Sequence, residues 1–205
     1  MRAFEFNAAE HRYTWLDNGQ EIPSVTRIIE RAGLSDLSAI PAAVLKNAAD
    51  RGTNIHTATE LYDTGTLATI DPAHEPYLTA WKMFRAAYRL DFEPREIELK
   101  LVSEKYNFAG TLDRYKIREG KLWICDIKTG SKVYKTTGLQ LAAYEILLKE
   151  NLPELAQLTT ERSAVQLKKT GQFKQHDFNE DYHRARFIKC LAGQLTPEEI
   201  TQWKA

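Results

Sequence analysis

Cysteine is scarce in this sequence: Cys125 and Cys190 are the two among 205 residues, and no C-x-x-C occurs. The chain therefore cannot build a disulfide framework, a four-cysteine zinc site or an iron–sulfur cluster from its own thiols, and both cysteines are expected to be buried. Long apolar runs are missing too. No stretch approaches the ~20 residues that cross a bilayer, and Met1-Arg2-Ala3-Phe4-Glu5-Phe6 lacks the apolar block of a secretory signal. A cytoplasmic location and no membrane partner are expected. An excess of either charge is absent, since 28 Lys and Arg balance 28 Asp and Glu. A polyanionic partner would have to be held by a local basic patch or by metal ions, because the whole chain offers no attractive field. Repeats, low-complexity tracts and linkers are also lacking. With 43% hydrophobic and 27% charged residues, ordinary globular values, residues 1–205 read as one domain.

What is present is a run of elements with clear punctuation. His11 to Leu16 is β-prone, Asp17-Asn18-Gly19 is a turn, and Glu21-Ile22-Pro23 closes a hairpin, placing an N-terminal hairpin at about 4–23. Ser24 offers a helix N-cap. Helical stretches follow at about 41–67 and 72–90, divided at Asp71-Pro72. Three β-prone segments, about 95–103, 108–117 and 121–128, predict a meander. A helix at about 137–150, a strand at 164–168, its hairpin partner at 173–178, and helices at about 181–192 and 197–203 complete the chain. Two stretches are basic without acids: Lys128, Lys132 and Lys135, and then Arg162, Lys168, Lys169 and Lys174. Both are candidate phosphate contacts, although solvated faces give such runs more often.

The meander carries the chemistry. A two-residue turn at Glu119-Gly120 sets Asp113 directly opposite Asp126. Opposed like charges destabilise an antiparallel pair unless a cation compensates them. Lys128, two residues beyond Asp126, falls on the same face. A four-residue loop at 104–107 extends the row to Glu98, whereas a shifted register would bring Glu96 instead. Leu112, Leu122, Trp123, Ile124 and Ile127 surround the row with apolar neighbours. A row of acids in an apolar sheet calls for a hard cation with oxygen ligands, magnesium or manganese.

Two helices carry polar pairs one turn apart, His56 with Glu60 and Gln140 with Tyr144. In order along the chain, Gly52-x-x-x-His56-x-x-x-Glu60, Gly110-x-x-Asp113, Asp126-x-Lys128-Thr129-Gly130 and Gln140-Leu141-x-x-Tyr144 form a set that resembles the RecB-like branch of the PD-(D/E)XK nuclease superfamily. The resemblance spans about 22–148, and Ile22-Pro23-Ser24-Val25-Thr26 is similar to phage-type members.

The resemblance implies an α/β, restriction-endonuclease-like fold, a mixed central β-sheet flanked by helices, with the catalytic core at about 41–178 and C-terminal helices at about 180–203. It implies metal-dependent hydrolysis of DNA phosphodiesters with Mg2+ or Mn2+. Asp113 and Asp126 match the metal-binding acids, and Lys128 the lysine beside the attacking water. His56 matches an additional ligand, the Ile127 carbonyl a further one, and Glu98 a third acid. Gln140 and Tyr144 match the motif that orients the lysine and a substrate phosphate. The lack of four cluster-binding cysteines points away from iron–sulfur members and toward phage recombination exonucleases. That implies DNA as partner, a homo-oligomer enclosing it with Lys168, Lys169 and Lys174, and a single-strand annealing protein as a further partner.

Overall fold

The computed structural model describes residues 2–35 and 40–204. Three short strands, β1 (Phe4–Asn7), β2 (Arg12–Trp15) and β3 (Glu21–Ile22), lead into α1 (Val25–Arg31), α2 (Ala42–Asp63) and α3 (Glu75–Tyr88). The meander β4 (Ile97–Ser103), β5 (Phe108–Arg118) and β6 (Lys121–Lys128) follows. Then come α4 (Thr136–Asn151), β7 (Thr160–Leu167), β8 (Phe173–Asp177), α5 (Tyr182–Ala192) and α6 (Pro197–Lys204). The first three strands form one antiparallel sheet, and β4-β5-β6-β7-β8 form a second, mixed sheet in which only the β6–β7 pair is parallel. That parallel pair requires a crossover, which α4 supplies. The expected N-terminal hairpin gains a strand, because Phe4–Asn7 pairs along β2.

Turn chemistry fixes the register of the meander. Glu119 and Gly120 both have positive φ, 51° and 72°, as a primed hairpin turn requires. Arg118 then faces Lys121 and Arg114 faces Cys125, so the register points Asp113 at Asp126. Across the 104–107 loop, Ser103 faces Phe108 and Ile97 faces Arg114. Glu98 thus stands opposite Asp113 as the loop length implies. Between those pairs the strands change faces: Ile97 joins the core beneath α3, while Leu101, Phe108 and Leu112 join the core beneath α4. The change falls at Glu98, whose φ of 45° is a left-handed conformation uncommon for a residue with a Cβ.

Two apolar layers clamp the sheet. On one face α4 contributes Leu139, Leu141, Ala143, Leu147 and Leu148 against Leu122 and Ile124. On the other, Trp81, Phe84 and Leu78 of α3 pack on Trp123, Cys125, Ile127 and Val165. Both cysteines are buried, as expected. The helix N-cap expected at Ser24 is present, its hydroxyl accepting from Arg27 N at 3.3 Å.

Boundaries differ where side chains compete with the backbone. Helix α2 ends at Asp63 rather than Leu67, because the Thr64 hydroxyl donates back to the Glu60 carbonyl at 3.0 Å and Gly65 turns to φ 72°. Helix α3 begins at Glu75, after a turn in which Asp71 Oδ1 accepts from Ala73 N at 2.8 Å. Strand β7 starts four residues before the expected 164, with Arg162 buried inside it. The guanidinium of Arg162 donates to the Glu180 carbonyl at 3.1 Å and lies 3.4 Å from Glu145, which removes it from the candidate phosphate contacts. Among the described residues no helix is long and apolar enough to cross a membrane.

Candidate active site

Residues from α2, the meander and α4 meet at one cleft of about 630 Å³, whose lining includes His56, Glu60, Glu98, Asp113, Asp126, Lys128, Gln140 and Tyr144. This volume is in the range of small-ligand sites. His56 Nδ1 lies 3.6 Å from Glu98 Oε1 and 3.5 Å from Asp113 Oδ1. Ligand atoms of this trio all fall within 4.8 Å of one another, a spacing that one cation can bridge. The second oxygen of Asp113 accepts from Ile127 N at 2.6 Å, a bond across the strand pair that fixes the carboxylate. The Ile127 carbonyl, expected among the metal ligands, here contacts His56 Nε2 at 3.1 Å, which leaves Nδ1 facing the acids.

Asp126 stands outside the trio, 1% exposed. Its Oδ2 lies 2.7 Å from Lys128 Nζ, yet no hydrogen bond of good geometry reaches that buried oxygen. The ammonium instead donates to Gln140 Oε1 at 3.0 Å, and Gln140 Nε2 donates to the Tyr144 hydroxyl at 2.7 Å. The motif glycine before the acid makes room for this chain. A Cβ at Gly110 would stand 2.9 Å from Tyr144 Cε1 and 3.2 Å from both Leu147 and Val25.

Burial and charge set the protons. Burial penalises charged His56, but the carboxylates of Asp113 and Glu98 outweigh it and raise its pKa to about 9. Asp113 is raised to about 7, first by burial and further by Asp126 and Glu98, against the opposing pull of His56. Glu98 is lowered, because its contacts to His56 and Arg114 overcome burial. Lys128 is raised, since Asp126 and Asp113 outweigh the cost of burying an ammonium. The arrangement is a set of acids and one imidazole crowded together, with the Asp126 carboxylate beside them paired to the Lys128 ammonium. It fits a hard divalent cation, which would neutralise charge that protons now neutralise.

One contributor is absent from the residues expected at the site. Arg114 is 0% exposed and spans from Asp63 Oδ2 at 2.7 Å to Glu98 Oε1 at 3.2 Å, with the Asp113 carbonyl at 2.5 Å. The Asp63 side chain is itself fully buried and also accepts from Trp81 Nε1 at 2.9 Å and Arg85 at 2.7 Å. The signal was available: His56, Thr59 and Asp63 follow i, i+3, i+7 spacing on α2, and a mid-strand arginine on the apolar face needs a buried acid. Glu96, the alternative to Glu98, lies in a 3-10 turn where it accepts from Glu93 N at 2.8 Å and pairs with Lys116 at 2.9 Å.

The other predicted residues lie away from the cleft lining. Lys132 and Lys135 are exposed in the segment between β6 and α4, Lys132 resting 5.4 Å from the Tyr134 ring. Lys168 and Lys169 begin the β7–β8 turn, and Lys174 faces Gln166, which in turn faces Lys128. Lys174 therefore shares the sheet face of Lys128 two strands away, on the β8 edge.

No curated protein matches this sequence. Among solved structures, the crystal structure of a candidate exonuclease from Eubacterium rectale is similar at 10% identity and a TM-score of 0.45, over 75% of this chain and 67% of that one. The family model of the PD-(D/E)XK nuclease superfamily matches residues 29–204, a span that holds His56, Glu98, Asp113 and Asp126 and the lysine–glutamine–tyrosine chain beside them. The chain thus belongs to the PD-(D/E)XK nuclease superfamily.

Proposed function

We propose that this chain is a Mg2+- or Mn2+-dependent deoxyribonuclease that digests DNA from an end, in phage-type recombination or related DNA processing. The observation that carries the reading is the Lys128 ammonium, held at 3.0 Å by Gln140 and 2.7 Å from Asp126, in the same cleft as the His56, Glu98 and Asp113 cluster. His56, Glu98, Asp113 and Asp126 would hold the cation. When bound, the cation supplies an acidified water and neutralises charge on the phosphate.

The protein groups have separable roles. Lys128 keeps its proton against burial because two carboxylates face it, so Nζ offers positive charge and donor hydrogens to the water and the phosphate oxygens. Gln140 fixes that ammonium by accepting one of its hydrogens, and Tyr144 fixes Gln140. Arg114 restrains Glu98 from the side away from the cleft. Lys132, Lys135, Lys168, Lys169 and Lys174 extend the basic surface that a neutral chain needs for the DNA backbone. A homo-oligomer, with an annealing protein as partner, would complete the enclosure of the substrate.

The test is incubation of linear and covalently closed duplex DNA with the chain and magnesium. Loss of the linear form alone is expected. Cleavage of the closed circle would establish an endonuclease instead.

A further inference from the structure

Part of the cleft lining comes from the N-terminal sheet. Phe6, His11 and Tyr13 line the same cavity as Asp113, Asp126 and Lys128. The β1–β2 connection that carries His11 is held in shape by its own side chains, since Asn7 Oδ1 accepts from Ala9 N at 3.0 Å and Glu10 N at 3.2 Å. His11 takes a φ of 48°, a left-handed conformation in which histidine is found more often than most residues. Its ring stays exposed while two others back it: Phe6 meets it edge-on, with centroids 5.3 Å apart and planes at 82°, and Tyr13 lies 6.2 Å away. Tyr13 is buried and anchored to the meander, its hydroxyl 2.6 Å from Thr111 Oγ1.

Lys100 links this platform to the acids. Its Nζ lies 5.5 Å from the Phe6 ring centroid and 3.4 Å from the Glu98 carbonyl, which it can reach as a donor. An exposed ring with a rigid backing, an ammonium beside it and a carboxylate cluster beyond it form a site for a base joined to a phosphate. Aromatic faces stack on any base that has left its partner, and a nearby cation takes the backbone. A base in a duplex offers no such free face.

We infer that His11, backed by Phe6 and Tyr13, stacks on an unpaired nucleobase of the strand being cut, with Lys100 on the adjoining phosphate, so that the substrate is a single-stranded or frayed end. This rests on the nuclease reading and adds to it the state of the DNA end.

The test uses the full chain, magnesium and a single-stranded oligonucleotide with an abasic site placed in turn at each nucleotide flanking the first bond cut. The wild type is expected to lose roughly 5- to 150-fold in kcat/KM when the abasic site falls at one position, the range one stacked base is worth. His11→Ala should lose the same factor on the intact strand and nothing further at that position, while His11→Tyr, which keeps a ring, restores it. Wild-type rates that are flat across all abasic positions would overturn the subsite alone, as would His11→Ala slowing every substrate equally. No cleavage of any DNA by the wild type would overturn the nuclease reading and the subsite with it.

Discussion

Lys128 illustrates how a single side chain is prepared by its surroundings. An ammonium drawn partly out of water normally loses its proton more readily, yet here two carboxylates reverse that trend and a glutamine oxygen fixes the nitrogen in place. The roles of charge and of ligand are therefore separable by mutation. Lys128→Ala is expected to bind magnesium with nearly wild-type affinity but to cut DNA about 100- to 1,000-fold more slowly, the cost of losing one preorganised donor. Metal titration beside single-turnover kinetics checks this, and lost affinity with a normal rate would reverse the assignment. The protons on the acidic cluster make a second prediction. Near pH 6 the His56 imidazole, raised to about 9, and the Asp113 carboxyl, raised to about 7, both hold protons that a cation must displace. Magnesium affinity should therefore rise with pH from 6 toward 9, with net proton release. Calorimetry in buffers of different ionisation enthalpy counts those protons, and pH-independent binding with none released would contradict the assigned ligands.

At the scale of elements, the contact between β5 and α4 decides whether Lys128 is aimed. A Cβ at position 110 would stand only 2.9 Å from the Tyr144 ring, so Gly110→Ala overpacks that contact at a cost of about 1–3 kcal/mol. The variant should melt at a lower temperature and turn over more slowly, with metal affinity retained. A variant with both wild-type melting and wild-type rate would show that the glycine is not needed there. The strand register was legible because turn residues and loop lengths count pairs: Glu119-Gly120 and the 104–107 loop suffice to align Glu98, Asp113 and Asp126. What counting could not show is the change of strand faces at Glu98. It arises from a left-handed backbone that a glutamate rarely adopts, and it is held by Arg114 reaching in from the opposite side. A period of two carries no trace of such a switch. Helix ends were misplaced for a related reason, since Thr64 and Asp71 satisfy backbone groups with side chains that periodicity does not weigh.

For the whole molecule, the balance of 28 basic and 28 acidic residues leaves no net charge to attract a polyanion, so the proposed DNA substrate would be held by the cleft and its margins. The ordered motifs were sufficient to point to the superfamily, and the match over residues 29–204 agrees. The N-terminal sheet lies wholly before that span, and its part in the cleft emerges only with β1 and β2 placed beside the meander. The account stands on one claim, that the carboxylates in this cleft make the chain a metal-dependent nuclease. Its most direct test follows release of nucleotides from end-labelled DNA by the wild type and by Asp126→Asn, purified side by side, with magnesium and with chelator. The account predicts magnesium-dependent release by the wild type, and none by a variant that melts like the wild type; equal release by the two proteins, or release that chelator leaves unchanged, would contradict it.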